Sequence, residues 1–278
     1  MAQGSRKASS PQVNSRVGGF GALRHRNYRL WFAGQLVSLL GTWMQATALA
    51  FLVYELTRSS AYLGYLGFAT GVPAWLFTLY AGVVSDRVPR RTLLIVTQSA
   101  MMLLAVALAL VTFGGVVRPS HLIVFALLLG LANAFDAPAR QAFVSELVDR
   151  RDLTNAIALN STMFNAAQAL GPAAAGITYD LFGPGWCFTI NAASFLAVIA
   201  ALLAMRFERG APRPAAASAR AQLAEAFHFA IGHTEVRALG GLVAMTSMLG
   251  LSMVTLLPAW AVEILHGTAR TNGLLQSA

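Results

Sequence analysis

The sequence predicts an all-α membrane protein, and three observations predict it. The 278 residues are 56% hydrophobic and only 11% charged, where a soluble domain carries about a quarter charged residues. The apolar residues fall into seven blocks free of Asp, Glu, Lys and Arg, at 30–54, 59–85, 92–117, 120–135, 153–179, 181–205 and 238–262. The charges between blocks are sorted by side. With the amino terminus in the cytosol, all of the 20 Lys and Arg except Arg58, Arg118 and Arg270 fall in cytosolic segments, which is the positive-inside pattern.

Crossing a hydrocarbon core of about 30 Å takes roughly 20 helical residues. Six blocks satisfy this, and the fourth does so only by running past Asp136 to Arg140. Lipid offers the backbone no hydrogen-bond partner, so helices are required, and the alternation of a membrane barrel is missing.

The elements follow in order. Helix 1 spans 28–56, and a turn at 57–60 returns helix 2 toward the cytosol. A second short turn at 86–91 starts helix 3, which ends near 113 before Gly114, Gly115 and Pro119. Helix 4 begins near 121, and the mixed-charge segment 140–153 reads as an interfacial helix. Helix 5 ends near 179, Gly183, Pro184 and Gly185 make a turn, and helix 6 ends near 205. Residues 208–220 are rich in Ala, Pro and Arg and read as a linker. Residues 221–232 carry Leu223, Phe227 and Ile231 at helical spacing and read as an amphipathic surface segment. Helix 7 starts near 237, and 273–278 read as the first turns of an eighth helix cut short. The expected organisation is a cytoplasmic tail over 1–27, a six-helix bundle over 28–207, a cytoplasmic linker over 208–236 and the start of a second bundle over 237–278. A loose repeat supports the second bundle: Arg29 and Glu55 bracket helix 1 as Arg237 and Glu263 bracket helix 7.

Other classes lose ground on the same residues. The net charge of +9 follows from membrane orientation and does not call for nucleic acid. Cys187 has no partner for a disulfide or metal site, and 1–27 lack the apolar core of a signal peptide. His25, His121, His228, His233 and His266 are scattered over both sides, and no Gly-rich phosphate loop appears. A membrane enzyme, a metal, a cofactor and direct ATP use are therefore not expected.

The most specific segment is Gly82-Val-Val-Ser-Asp86-Arg87-Val-Pro-Arg90-Arg91 between helices 2 and 3. This G-x-x-x-D-R-x-x-R-R pattern resembles the signature loop of the major facilitator superfamily. A second stretch runs Ala134-Phe-Asp136-Ala-Pro138-Ala-Arg140-Gln141-Ala-Phe, then Glu146-Leu-Val and Leu153-Thr-Asn155-Ala-Ile-Ala-Leu-Asn160-Ser. With Gly171-Pro172 and Gly176, and with Phe188, Asn191 and Phe195, it resembles the efflux branch that contains the enterobactin exporter. The resemblance implies a twelve-helix carrier of two six-helix bundles that rocks between inward-open and outward-open states. It therefore implies that this chain stops in helix 8, short of a carboxy-terminal bundle.

The resemblance also implies roles for residues. Gly82, Asp86, Arg87, Arg90 and Arg91 form a cytoplasmic latch, with Gly82 admitting a neighbouring helix and Arg140 as the partner of Asp86; the alternative is solvated interfacial charge. Asp136, the deepest acid, either couples transport to protons or pairs with Arg140 one helical turn away. Gly171 and Pro172 resemble the antiporter signature, and the alternative is a packing kink. Gln45, Asn133 and Ser247, then Asn165, are the choices for the substrate cavity, against interhelical hydrogen bonding. Helices 1 and 7 hold no acid or base at mid-depth, which favours a neutral or amphiphilic substrate. The implied function is proton-coupled secondary export of a siderophore-like or drug-like small molecule. The other readings are a non-transporting fragment or one part of a split carrier. Arg in place of Lys, with abundant Ala, suggests a GC-rich bacterial source and so the inner (plasma) membrane, multi-pass with a cytoplasmic amino terminus.

Overall fold

The structure, a computed structural model, describes residues 20–206 and 232–278. These residues form helices joined by short turns, with no strand among them. The helices are α1 (Arg26–Thr57), α2 (Ser60–Arg87), α3 (Arg90–Phe113), α4 (Pro119–Leu147), α5 (Leu153–Phe182), α6 (Pro184–Ala204), α7 (Thr234–Glu263) and α8 (Ala269–Ser277). A 3-10 turn, Gly21–Arg24, precedes α1. The residues expected to form most of the tail, and those of the linker and amphipathic segment up to 231, lie outside the described residues.

Local chemistry sets the helix ends. Arg58 closes α1 in the left-handed region (φ 49°), its N–H bonding the Tyr54 carbonyl at 2.7 Å. Val88 is extended because it precedes Pro89, which disfavours helical backbone there, so α2 stops and α3 starts within two residues. Gly183 takes φ 89°, a value that suits glycine, and Pro184 then opens α6 where a missing N–H costs nothing.

α1 packs on α5 and α6, α3 on α4 and α6, and α2 on α4. α8 lies along α5, and α7 touches α8, α2 and α1. The core is built in two halves. At the end holding the Asp86–Arg91 segment, here the arginine-rich end, Tyr28, Trp31, Leu94, Phe143 and Phe195 are buried together. Trp31 and Phe143 meet edge to face at 5.2 Å. At the opposite end the buried set includes Met44, Phe51, Leu108 and Phe188, with Phe51 edge-on to Tyr179 at 5.1 Å. Gly41 lets α1 lie against α6: a Cβ there would fall 2.6 Å from Asn191 Oδ1. The outward faces carry Phe68, Trp75, Leu103, Leu110, Leu170 and Leu203, all exposed. Such a surface is a liability in water and the ordinary condition in lipid.

Among the described residues, α1, α3, α4 and α6 are long and apolar enough to cross a membrane. α2, bent by 59° between Phe77 and Tyr80, makes a fifth when taken whole. α5 is as long but is not among them, since Asn155, Asn160, Asn165 and Gln168 run along it. One expectation is corrected. No separate interfacial helix forms over 140–153: α4 continues through Pro138 to Leu147, and the chain turns before α5 begins at Leu153. Proline removes one backbone bond, but Asp136 and Arg140 bracket it and pair across it at 3.5 Å, which holds adjacent turns together.

Candidate functional site

At the arginine-rich end the signature segment is a junction of three helices. Arg90, in the first turn of α3, pairs with Asp86 at the end of α2 (3.4 Å) and with Glu146 at the end of α4 (3.0 Å). It also donates to the Ala142 carbonyl at 3.1 Å. Arg91 donates to the carbonyls of Leu202 (2.7 Å) and Leu203 (3.1 Å), satisfying the end of α6. Arg87 is exposed. Two expectations change here. Arg140 is not the partner of Asp86; its guanidinium is held by Asp136, and Glu146 is the far carboxylate of the junction. Gly82 admits no close neighbour, since a Cβ there would meet nothing within 4 Å among the described residues.

Asp136 lies about 16 Å from the α4 terminus by helix rise and is 1% exposed. Thr97 Oγ1 (2.8 Å) and Gln98 Nε2 (3.0 Å) of α3 donate to its Oδ1. Arg140 Nε lies 3.5 Å from its Oδ2. A buried carboxylate needs this many donors to stay compensated. The sequence carries one sign of these donors, the polar run Thr97-Gln98-Ser99 in the first half of α3.

Beside this cluster a cavity of about 650 Å³ lies between α4 and α5, with α1 behind it. This falls within the range of small-molecule sites. α4 contributes Arg140, Gln141 and Val144, and α1 contributes Leu39. The wall from α5 is Ile157, Asn160, Ser161, Phe164 and Asn165, one helical face. Asn160 Oδ1 is buried with no partner among the described residues. All these positions of α4 and α5 belong to the halves nearest the arginine-rich end.

The cavity candidates separate. Asn165 lines the cavity. Gln45 does not: it is 4% exposed and accepts a hydrogen bond from Asn191 Nδ2 at 2.8 Å, joining α1 to α6. Asn133 is exposed on α4 away from the lining, and the Ser247 side chain lies outside the described residues. Gly171 faces α1, where a Cβ would sit 2.5 Å from Trp43 Cβ. Pro172 is buried, and its carbonyl lies against Gly273 of α8.

The opposite end is fastened by another set of contacts. Asp180 Oδ2 accepts from Thr268 Oγ1 (2.6 Å) and from the Arg270 backbone N–H (3.3 Å), capping α8. Thr47 Oγ1 donates to Gln276 Oε1 at 2.8 Å. Gly176 lets α8 come close, since its Cβ would fall 2.6 Å from the Ala269 carbonyl. The hydroxyls of Tyr54 and Tyr179 donate to Glu263 and Glu55. Glu55 and Glu263 stand out in the sequence; the tyrosines that reach them do not, because each lies far from its partner in the chain.

Comparison with known proteins agrees with this architecture. The family profile described as transmembrane secretion effector matches residues 17–278. The staphyloferrin A transporter of Staphylococcus aureus is 27% identical over 251 residues, covering 88% of this chain and 62% of its own length. An enterobactin exporter of Citrobacter koseri is 25% identical over 261 residues, covering 91% of this chain and 60% of its own. An uncharacterised transporter of Bacillus subtilis, of the major facilitator type, is 28% identical over 170 residues, 60% of this chain and 40% of its own. The chain spans about three fifths of the first two relatives (62% and 60%). With the profile covering nearly all of it, the chain belongs to the transmembrane secretion effector family of the major facilitator superfamily.

Proposed function

We propose that this chain forms the first bundle, and the start of the second, of a secondary transporter that exports a small siderophore-like or drug-like molecule. Export runs by alternating access and draws on the proton gradient. The observation that carries this reading is the polar-faced cavity near the arginine-rich end, combined with an opposite end fastened by Asp180, Thr268, Gly176 and Gly273. A cavity stands toward one end while contacts fasten the other, the asymmetry that each state of an alternating carrier calls for. The concentration of arginine supports placing the cavity end in the cytosol of a bacterial inner membrane, with the amino terminus inside. Asp86 and Arg90 then serve as the cytosolic latch, Asp136 as the coupling acid, and Gly171 with Pro172 as the rigid contact of α5.

The test is reconstitution. Proteoliposomes carrying the chain and a trapped pH dye are given enterobactin, and separately ethidium. Substrate-dependent proton flux that Asp136→Asn abolishes supports the reading. No flux with any substrate tried, from the chain alone or with a relative's carboxy-terminal bundle co-reconstituted, refutes it. Flux only with the added bundle favours the second reading, one part of a split carrier. Reporter enzymes placed after Arg91 and after Pro119 test orientation; an extracellular signal from the first overturns it.

A further inference from the structure

We propose that Arg140 is an anion-recognition group of the cavity and that the cargo is a hydroxycarboxylate, a small molecule bearing a carboxylate beside a hydroxyl. This rests on reading the cavity as the cargo site. Arg140 is both a wall of the cavity and a partner of Asp136, with its side chain 18% exposed. Its Nε faces Asp136, and its terminal amino groups have no protein partner among the described residues. A guanidinium is a planar fork of five donors, so one edge can be fixed by Asp136 while others remain for a ligand. The fork fits a carboxylate with two parallel hydrogen bonds.

The charge balance favours an anion. Asp136 is also stabilised by Thr97 and Gln98, so it does not depend on Arg140 alone. The lining holds no carboxylate, so a cationic cargo would find no counter-charge there. The second half of the ligand follows from Asn160, whose buried Oδ1 lacks a donor. A ligand hydroxyl supplies one, and the desolvation of that oxygen is then compensated. Gln141 and Asn165 offer further amide groups, and Phe164 an apolar wall. Helices 1 and 7 carry no charge at mid-depth, which suits a neutral cargo, but the cation of the cavity stands on α4.

The test measures binding to the whole chain in nanodiscs by calorimetry. The probes are citrate, tricarballylate (citrate without its hydroxyl) and the cation tetraphenylphosphonium. Citrate binds tighter than tricarballylate, and Asn160→Leu erases the difference. Arg140→Gln weakens citrate by about ten- to a hundredfold, the range of a charge-assisted hydrogen bond, and Arg140→Lys falls between. Asn165→Asp leaves the Asp136 pair untouched and weakens citrate by placing a like charge on the lining, so the outcome does not hang on how Arg140 variants fold. Citrate binding that neither Arg140→Gln nor Asn165→Asp alters overturns the proposal. Tetraphenylphosphonium binding without citrate binding overturns the hydroxycarboxylate assignment and leaves the cavity reading standing. Binding of none of the three, to the chain alone or with a relative's carboxy-terminal bundle in the same nanodisc, overturns both.

Discussion

Asp136→Ala gives the sharpest test of the buried cluster. The substitution removes the acceptor of Thr97 and Gln98 and the counter-charge of Arg140, on a residue that is 1% exposed. Breaking a fully buried ion pair from one side costs about 3–5 kcal/mol. Arg140 keeps 18% of its side-chain surface open to the cavity, so its freed charge is partly solvated and the low end, about 3 kcal/mol, is expected. Asp136→Asn preserves the shape and one accepting oxygen, and costs about 1–2 kcal/mol. Unfolding in mixed dodecylmaltoside and SDS micelles, followed by tryptophan fluorescence, measures both. A double-mutant cycle with Arg140→Gln isolates the pair, with a coupling of about 1 kcal/mol. An alanine variant within about 0.5 kcal/mol of the parent, the size of an ordinary surface substitution, shows that the cluster is not formed and refutes the reasoning.

Three other outcomes follow from the packing. Phe143→Ala removes the edge-on partner of Trp31 from a fully buried site, and should cost about 3–5 kcal/mol in the same unfolding assay. Arg90→Ala should cost about 1–2 kcal/mol, while Asp86→Asn should cost less than about 0.5, because the Asp86 side chain is half exposed and Glu146 still holds the arginine. Gly176→Leu places a side chain where the α8 backbone now lies, so a disulfide engineered between Asp180→Cys and Thr268→Cys should form in the parent and fail in the leucine variant.

Much of the fold was legible because its governing physics is local. Uncharged blocks mark spans, and Pro, Gly and the residue before Pro mark turns, so the α2–α3 turn at Val88–Pro89 could be read from the residues themselves. The fourth block misled for a physical reason. Asp136 and Arg140 looked like the end of a span, yet each satisfies the other across Pro138 and the helix runs on to Leu147. The site was less legible because helix rotation decides it. Gln45 and Asn165 are both amides within helices, and only the structure shows that one is turned to Asn191 and the other to the cavity. The stripe of Asn160, Ser161 and Asn165 at helical spacing was a usable sign, since polar residues on one face need either a partner or a cavity.

The two ends differ in the chemistry that holds them, and this bears on how the proposed cycle could run. At the arginine-rich end, Arg90 ties α2, α3 and α4 of the same bundle, and Arg91 ties α6 to it. Those bonds keep the bundle rigid without joining it to α7 or α8. At the opposite end, Asp180, Thr47, Tyr54 and Gly176 join the bundle to α7 and α8 by hydroxyl and amide hydrogen bonds and backbone contact. Measured interhelical hydrogen bonds in membranes average about 0.6 kcal/mol each. A handful of them amounts to a few kcal/mol, the scale on which ligand binding can move a two-state equilibrium. A clasp made of full ion pairs would hold one state too firmly, while one of weak contacts can open as a unit. Removing one contact, as in Tyr54→Phe, should therefore shift the balance between closed and open states measurably without unfolding the bundle. Spin labels on α5 and α8, read by pulsed dipolar spectroscopy, should show a second, longer distance growing in that variant; an unchanged single distance would place the clasp's strength elsewhere.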